Sequence, residues 1–257
     1  MPSLPPRAAI IGLGGLGCPA ALALVRAGVR LLLVDDDEVE LTNLHRQILY
    51  HEGDVGRSKL QAAHAALLKA GAAPEQLSLL EDRILPANAL DLVSQVDVVL
   101  EGADNFATKF LTADACHLAR VPVVHGAAIR WRATAWAVSP QGAPCYRCLF
   151  EDLPIGAQQN CDSAGVMGPV VGLAGALMAD LALRLLGGDA DAYRQIWSYD
   201  GLRDQLRSAP VSPRAGCALC GERPSIVDIR ERRYTGAAEA TCSSSASAHG
   251  GDSASAS

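Results

Sequence analysis

The sequence predicts an α/β fold built on a mainly parallel, doubly wound sheet. Three observations point to it. A glycine-rich turn joins an apolar strand to a helix close to the start of the chain, branched apolar runs then alternate with helix-forming stretches, and two Cys-x-x-Cys pairs lie far apart in the second half. Alternating strands and helices favour a parallel sheet because each helix carries the chain back to the same sheet edge.

The elements follow in order. Arg7 to Ile11 reads as a buried strand, Gly12-Leu13-Gly14-Gly15-Leu16-Gly17 as a tight turn, Ala20 to Ala27 as a helix and Val29 to Val34 as a second strand. Together they make one βαβ unit of about thirty residues, which gives the fold a Rossmann-like start. Lys59 to Lys69 has high helix propensity and ends at Gly71 to Pro74. Val96 to Leu100 reads as a buried strand, followed by a turn at Gly102 to Asn105, a helix through Ala119 and a strand at Val121 to Val124. Ala133 to Val138 forms a short strand before a Pro-Gln-Gly-Ala-Pro turn, and Gly168 to Leu186 a long apolar helix closed by Gly187-Gly188. The uncharged run Ala164 to Ala179 falls short of the ~20 residues a membrane span needs, and Asp180 and Arg184 follow it, so it reads as a core helix and no membrane partner is expected. Residues 1–236 are expected to form the folded domain. The Ser/Ala-rich stretch 237–257 has almost nothing to pack and is expected to be disordered.

Composition narrows the function. The chain has 257 residues, 49% apolar and 19% charged, with a net charge of −6. That is enough chain for a large core. An acidic balance argues against nucleic acid as a partner, because phosphate neutralisation needs a basic face. The first residues show no basic segment followed by an apolar one, so the sequence reads as cytoplasmic. In that setting eight cysteines suggest metal or redox chemistry rather than disulfides.

Gly12, Gly14, Gly15 and Gly17 would let backbone approach a phosphate at a helix N-terminus, and Asp35, ending the second strand, could accept from ribose hydroxyls. This says only that a nucleotide is bound. Arg46 and Lys59 downstream narrow it, since two cations suit a triphosphate whose leaving pyrophosphate gains charge, and a dinucleotide has no such need. Asp104 and Asn105, in Glu101-Gly102-Ala103-Asp104-Asn105, follow a strand and so belong at the carboxyl edge of the sheet. Asp104 is also a natural cap for the helix beginning near Phe106. Cys145, Cys148, Cys217 and Cys220 have the spacing of a tetrahedral zinc site that ties two distant segments together; a redox pair is the other reading. Cys18, Cys116 and Cys242 carry no such spacing. His45, His51, His64, His117, His125 and His249 form no ligand pattern and are expected at the surface or satisfied in the core.

Leu33-Val34-Asp35-Asp36-Asp37-Glu38-Val39-Glu40-Leu41-Thr42-Asn43-Leu44-His45-Arg46-Gln47, read after the glycine turn, resembles the ThiF/MoeB/HesA family of bacterial relatives of ubiquitin-activating enzymes. The resemblance runs from about Ala8 to about Tyr234. It implies an adenylyltransferase that uses ATP to activate the C-terminal glycine of a small ubiquitin-like sulfur carrier ending in Gly-Gly, in thiamine- or molybdopterin-type biosynthesis. By that resemblance Asp104 holds Mg2+ near the α-phosphate, Asp37, Asn43, Gln47 and Asn105 complete the nucleotide site, and the four paired cysteines hold Zn2+. It further implies a homodimer, a catalytic role for Cys161 in covalent chemistry with the carrier, a packing or loop role being the other reading of that residue, and for Arg130 in Gly-Ala-Ala-Ile-Arg a place facing either the carrier tail or an acidic neighbour. The chain departs from the family in three places. Its first strand starts at Arg7, where relatives usually carry an Arg-bearing helix reaching the partner's ATP. Asp162 stands beside Cys161 in place of Glu, Arg or Ala, and the Ser/Ala stretch stands where some relatives have a rhodanese domain, so a separate persulfide donor is expected. Two other readings stay open: a non-catalytic, zinc-stapled binding module for a ubiquitin-like partner, and an NAD-dependent oxidoreductase.

Overall fold

The structure is a computed structural model that describes residues 4–153, 165–193 and 195–234. Eight strands form one sheet: β1 (Arg7–Ile11), β2 (Arg30–Val34), β3 (Leu77–Leu80), β4 (Val98–Glu101), β5 (Val123–Ile129), β6 (Arg132–Val138), β7 (Gln195–Asp200) and β8 (Gln205–Pro210). They lie in the order β3-β2-β1-β4-β5-β6-β7-β8. The pairings from β3 across to β5 are parallel, and those from β5 to β8 antiparallel. The sheet is therefore mixed, not mainly parallel. β5 and β6 are joined by a tight hairpin through Arg130 and Trp131, and once the chain turns back on itself no helical crossover is needed.

Among the described residues six helices cover the sheet: α1 (Gly17–Arg26), α2 (Lys59–Lys69), α3 (Ala89–Val93), α4 (Phe106–Ala119), α5 (Tyr146–Phe150) and α6 (Gly168–Leu186). Strand alternation divides the core in two. Ala8 and Ile10 of β1 face a layer of α1, α2 and α6, whereas Ala9 and Ile11 face α3, α4 and the cysteine segments. This is the doubly wound arrangement, and parallel strands buried on both faces explain the unbroken apolar runs in β1, β2 and β4. Helix α6 is long and apolar enough to cross a membrane by length and composition. In the fold it packs against α1, β5 and β6, with Val170, Val171, Ala174, Met178 and Ala182 buried.

Strands β7 and β8 extend the sheet beyond anything the apolar pattern marks. All six residues of β8 are exposed, and β7 has no fully buried residue, so neither strand shows the alternation that flags a half-buried strand. The 237–257 tail and Cys242 lie outside the described residues.

Candidate nucleotide site and cysteine centre

The carboxyl ends of β1, β2 and β4 open into one cleft of about 800 Å3. It sits where strand order reverses, β1 having β2 on one side and β4 on the other, which is the position open α/β sheets use for ligands. The glycine turn forms its floor. Gly12 has φ +87°, a conformation that disfavours any side chain, and a Cβ on Gly17 would run into the Gly12 carbonyl. Gly12, Gly14 and Gly15 line the cleft; Gly17 does not, and its smallness serves the close approach of α1 to the loop. No side chain caps the N-terminus of α1, but its first turn offers an anion little: Cys18 N bonds to Gly14 O at 3.0 Å, Ala20 N bonds to Leu16 O at 3.4 Å and Pro19 has no N–H, so any phosphate contact here falls to the glycine turn itself.

Asp35 is almost fully buried. Its Oδ2 accepts from Leu13 N at 2.6 Å and its Oδ1 from Asp37 N at 2.9 Å. The carboxylate thus anchors the glycine turn to the end of β2, in place of standing free for a ribose. Burial pushes its pKa up, opposed by Lys59 and the two amides. Lys59 itself is buried, and its Nζ donates to Asp37 Oδ2 at 2.8 Å. Burial disfavours the ammonium, but Asp35, Asp37 and Asp104 outweigh it and its pKa lies above the ordinary value.

Asn43, Arg46 and Gln47 come from the turn Leu41–Asn43 and the residues that follow it, and all line the cleft. Asn43 Nδ2 donates to Glu40 Oε2 at 2.9 Å, so part of its hydrogen bonding serves the turn. Gln47 is buried to 3% exposure, and its Oε1 has no partner among the described residues. A buried amide oxygen without a donor costs about 1–3 kcal/mol, and a bound ligand's hydroxyl or a water would relieve it.

Asp104 and Asn105 divide the roles the sequence left together. Asn105 Oδ1 accepts from Thr108 N at 2.8 Å and caps α4. Asp104 is exposed at the cleft and does not cap; its carboxylate suits a hard cation such as Mg2+, which takes carboxylate and phosphate oxygens together.

Beneath this turn lies a buried group that no local pattern announces. Glu101 accepts from Lys109 Nζ, His125 Nδ1 and Ala103 N, and Lys109 also donates to Gly126 O. His125 is a core histidine bonded to a carboxylate 24 residues away. Other cleft residues that sequence reasoning passed over are Arg83, bound to Asp36 Oδ2 at 2.5 Å, Ile84, Leu85 and Tyr234. Position alone could have flagged Arg83 to Leu85, since they follow β3 at the carboxyl edge.

The four paired cysteines meet in the core layer that also holds the buried face of α4. Cys145 and Cys217 have their sulfurs 3.5 Å apart, Cys148 and Cys220 3.4 Å, and Cys145 and Cys148 4.0 Å. All four ligand atoms fall within 4.8 Å of one another. A tetrahedron with Zn–S of about 2.3 Å has edges of about 3.8 Å, so the donor set fits zinc. Cys18 and Cys116 are buried on helices, and burial pushes the Cys18 thiol up to about 12. Cys161 lies outside the described residues. Arg130, at φ 53° in the β5–β6 turn, is exposed and does not line the cleft.

A doubly wound sheet with a glycine-floored cleft at its switch point places the chain among α/β proteins of Rossmann-like architecture. The comparisons narrow the class: the ThiF family model matches residues 5–219, and this chain belongs to that family. It is 39% identical over 241 residues to "Adenylyltransferase and sulfurtransferase MOCS3" of Bos taurus, covering 92% of this chain and 51% of the relative. The Sus scrofa protein of the same name is 40% identical over 226 residues, covering 86% of this chain and 50% of the relative. The chain thus spans about half the length of these curated relatives. Among solved structures, E. coli MccB with MccA-N7isoASN superposes with a TM-score of 0.74 at 23% identity, covering 84% of this chain and 67% of that one. E. coli MccB with ATP gives 0.72 at 22% identity, covering 84% and 67%. At that identity the likeness concerns the fold.

Proposed function

We propose that this chain adenylates the C-terminal glycine of a ubiquitin-like sulfur carrier ending in Gly-Gly, for sulfur transfer in thiamine- or molybdopterin-type biosynthesis. The observation that carries the reading is the convergence of Arg46, Lys59 and Asp104 on one cleft floored by Gly12, Gly14 and Gly15. The MOCS3 relatives, named as adenylyltransferases, support it.

The reaction needs no strong base, since the carrier's terminal carboxylate is already ionised at neutral pH. That carboxylate attacks the α-phosphorus of ATP, the bond to the bridging oxygen breaks, and pyrophosphate leaves with the electron pair. The products are the acyl-adenylate and pyrophosphate. Catalysis is then positioning and charge neutralisation. The glycine turn would cradle phosphate oxygens, and Lys59, kept charged by Asp35 and Asp37, would stand against the charge that builds on the leaving group. Arg46 would add a second cation, and Gln47 Oε1 an acceptor now without a donor. Asp104 would hold Mg2+, which when bound neutralises phosphate charge. Cys145, Cys148, Cys217 and Cys220 would hold Zn2+ in a structural role, because closed tetrahedral thiolate sites leave no open position.

By the family resemblance the protein would work as a cytoplasmic homodimer, with Cys161 engaging the activated carrier and a separate persulfide donor supplying sulfur. The test is ATP–pyrophosphate exchange with purified protein, Mg2+ and a panel of carriers ending in Gly-Gly. Exchange that depends on one carrier supports the reading and names the substrate. Folded, metal-loaded protein that exchanges with none of them overturns it and leaves the binding-module reading.

A further inference from the structure

Beyond the second cysteine pair the chain runs back across α4. Ser225 N and Ile226 N both bond to Ala218 O at 2.9 Å, and Ile226 and Tyr234 pack into the core layer that contains Phe110 and Leu111 of α4. The segment ends in the single turn Glu231–Arg233, and Glu231 and Tyr234 line the same cleft as the glycine turn. Polar side chains line the cleft throughout, Arg83 and Glu231 among them. Ile84, Leu85, Leu111 and Tyr234 give it apolar walls of the kind a nucleobase uses.

Tyr234 is tied into the interior through its hydroxyl. Its hydroxyl donates to Asp114 Oδ2 at 2.8 Å. Asp114, fully buried in α4, is gripped from the other side by the Arg147 guanidinium, Nε to Oδ1 at 2.8 Å and Nη2 to Oδ2 at 2.9 Å. Arg147 lies between Cys145 and Cys148, 2% exposed, with its guanidinium 4.7 Å over the Phe110 ring. Arg214 N donates to Cys148 Sγ at 3.4 Å while its Nη2 bonds to Arg147 O at 3.0 Å, so both cysteine segments brace this arginine. A planar, forked arginine on a buried carboxylate fixes direction as well as distance. The chain of contacts is continuous from the cysteines to Arg147, Asp114, Tyr234 and the cleft wall.

We propose that Tyr234 is a positioning residue for the nucleoside end of the nucleotide, latched through Asp114 and Arg147 to the cysteine centre, so that loss of the metal from the cysteines loosens the cleft wall and weakens ATP binding. The inference rests on reading the cleft as an ATP site. It assigns the cysteine centre a second consequence besides stability, and it assigns the segment 226–234 to the site.

The test compares two ligands, Mg-ATP and Mg-tripolyphosphate, by calorimetry on the full chain. Tripolyphosphate uses the glycine end alone. Tyr234→Phe keeps the ring and removes one buried hydrogen bond worth about 0.5–1.5 kcal/mol to the folded wall; ATP affinity feels only the share of that order the ligand must restore, so the fall is expected to stay within roughly 12-fold. The expected result is that ATP binding weakens within that range, tripolyphosphate binding is unchanged, and amide exchange across 226–234 speeds up. Chelation of the cysteine-bound metal is expected to give the same split. A merely structural role would weaken both ligands together, and such a parallel loss overturns the proposal, as does unchanged ATP affinity in Tyr234→Phe. Because Asp114→Asn leaves Arg147 buried without its full counter-charge and endangers folding, the tyrosine variant decides. Protein that binds ATP with this split yet supports no pyrophosphate exchange would sink adenylation and leave the latch standing; exchange with no split would do the reverse.

Discussion

The Lys109 ammonium and the Glu101 carboxylate meet 2.9 Å apart beneath the Asp104 turn, and neither is open to solvent. The same carboxylate accepts from His125 Nδ1 at 3.1 Å and from Ala103 N at 2.7 Å. One buried anion therefore joins the end of β4, the second turn of α4 and the middle of β5. An ionised carboxylate only accepts, so His125 donates through Nδ1.

Acid stability follows from this group. Burial alone would raise the Glu101 pKa, but Lys109 and His125 outweigh it, and the folded value lies below the ordinary 4.5. A lowered folded pKa means the stabilisation is fully present above about 4.5 and is lost as pH falls through the folded value. Glu101→Gln should cost about 3–5 kcal/mol at pH 7, because Lys109 is left buried and unpaired. In denaturant titrations the gap between wild type and variant should narrow steadily below pH of about 4.5. A gap that stays constant to pH 3 would contradict the assignment.

Asp104→Ala separates chemistry from folding. The side chain is exposed and the α4 cap belongs to Asn105, so stability should stay within about 0.5 kcal/mol. Carrier-dependent pyrophosphate exchange should fall by about 100-fold or more. Wild-type exchange from the variant would remove Asp104 from its proposed role.

Gly17→Ala does the opposite and should damage the fold first. Its new methyl meets the Gly12 carbonyl, a backbone atom that can yield only by moving the turn. A melting temperature lower by roughly 10 °C, from a loss of about 3 kcal/mol or more, is expected in a scan of unfolding. Gly14→Ala has no such neighbour, the nearest atom to its Cβ being Gln47 Nε2 at 3.8 Å, and should melt close to wild type while binding ATP less well.

Cys217→Ser breaks the four-sulfur set at a residue that does not itself line the cleft. Metal content measured by inductively coupled plasma should drop, and the melting temperature should fall by roughly 10 °C. Chelator should lower the wild type by a similar amount and the variant hardly at all. Equal sensitivity of both proteins to chelator would argue that the cysteines are not the metal's ligands.

The features legible in the sequence are those whose chemistry is local. The glycine turn, the helix Lys59–Lys69 and the Cys-x-x-Cys spacing each carry their reason within a few residues. Asp104 and Asn105 are adjacent and both good caps, and only the first helical residue, Phe106, decides between them. Glu101 with His125, Asp36 with Arg83 and Asp114 with Tyr234 lie 24, 47 and 120 residues apart, so no window of sequence contains the pair. Strands β7 and β8 escaped for another reason: β8 is exposed along its length and β7 is only half-buried, so neither leaves the period-two trace of a strand with one buried face.

Cys145 and Cys217 are separated by 72 residues, and closing a flexible loop of that size costs about 4 kcal/mol. The sulfurs do not bear this cost alone. β6 ends at Val138, shortly before Cys145, and β8 ends at Pro210, shortly before Cys217, and both strands flank β7 in the sheet. Once that antiparallel set has zipped, the two cysteine segments already leave it as neighbours, and only short tethers remain to be ordered. The cysteine cluster thus closes little loop of its own: the sheet has already brought the two segments together, and the four sulfurs add a short cross-tie between segments that leave strands on either side of β7.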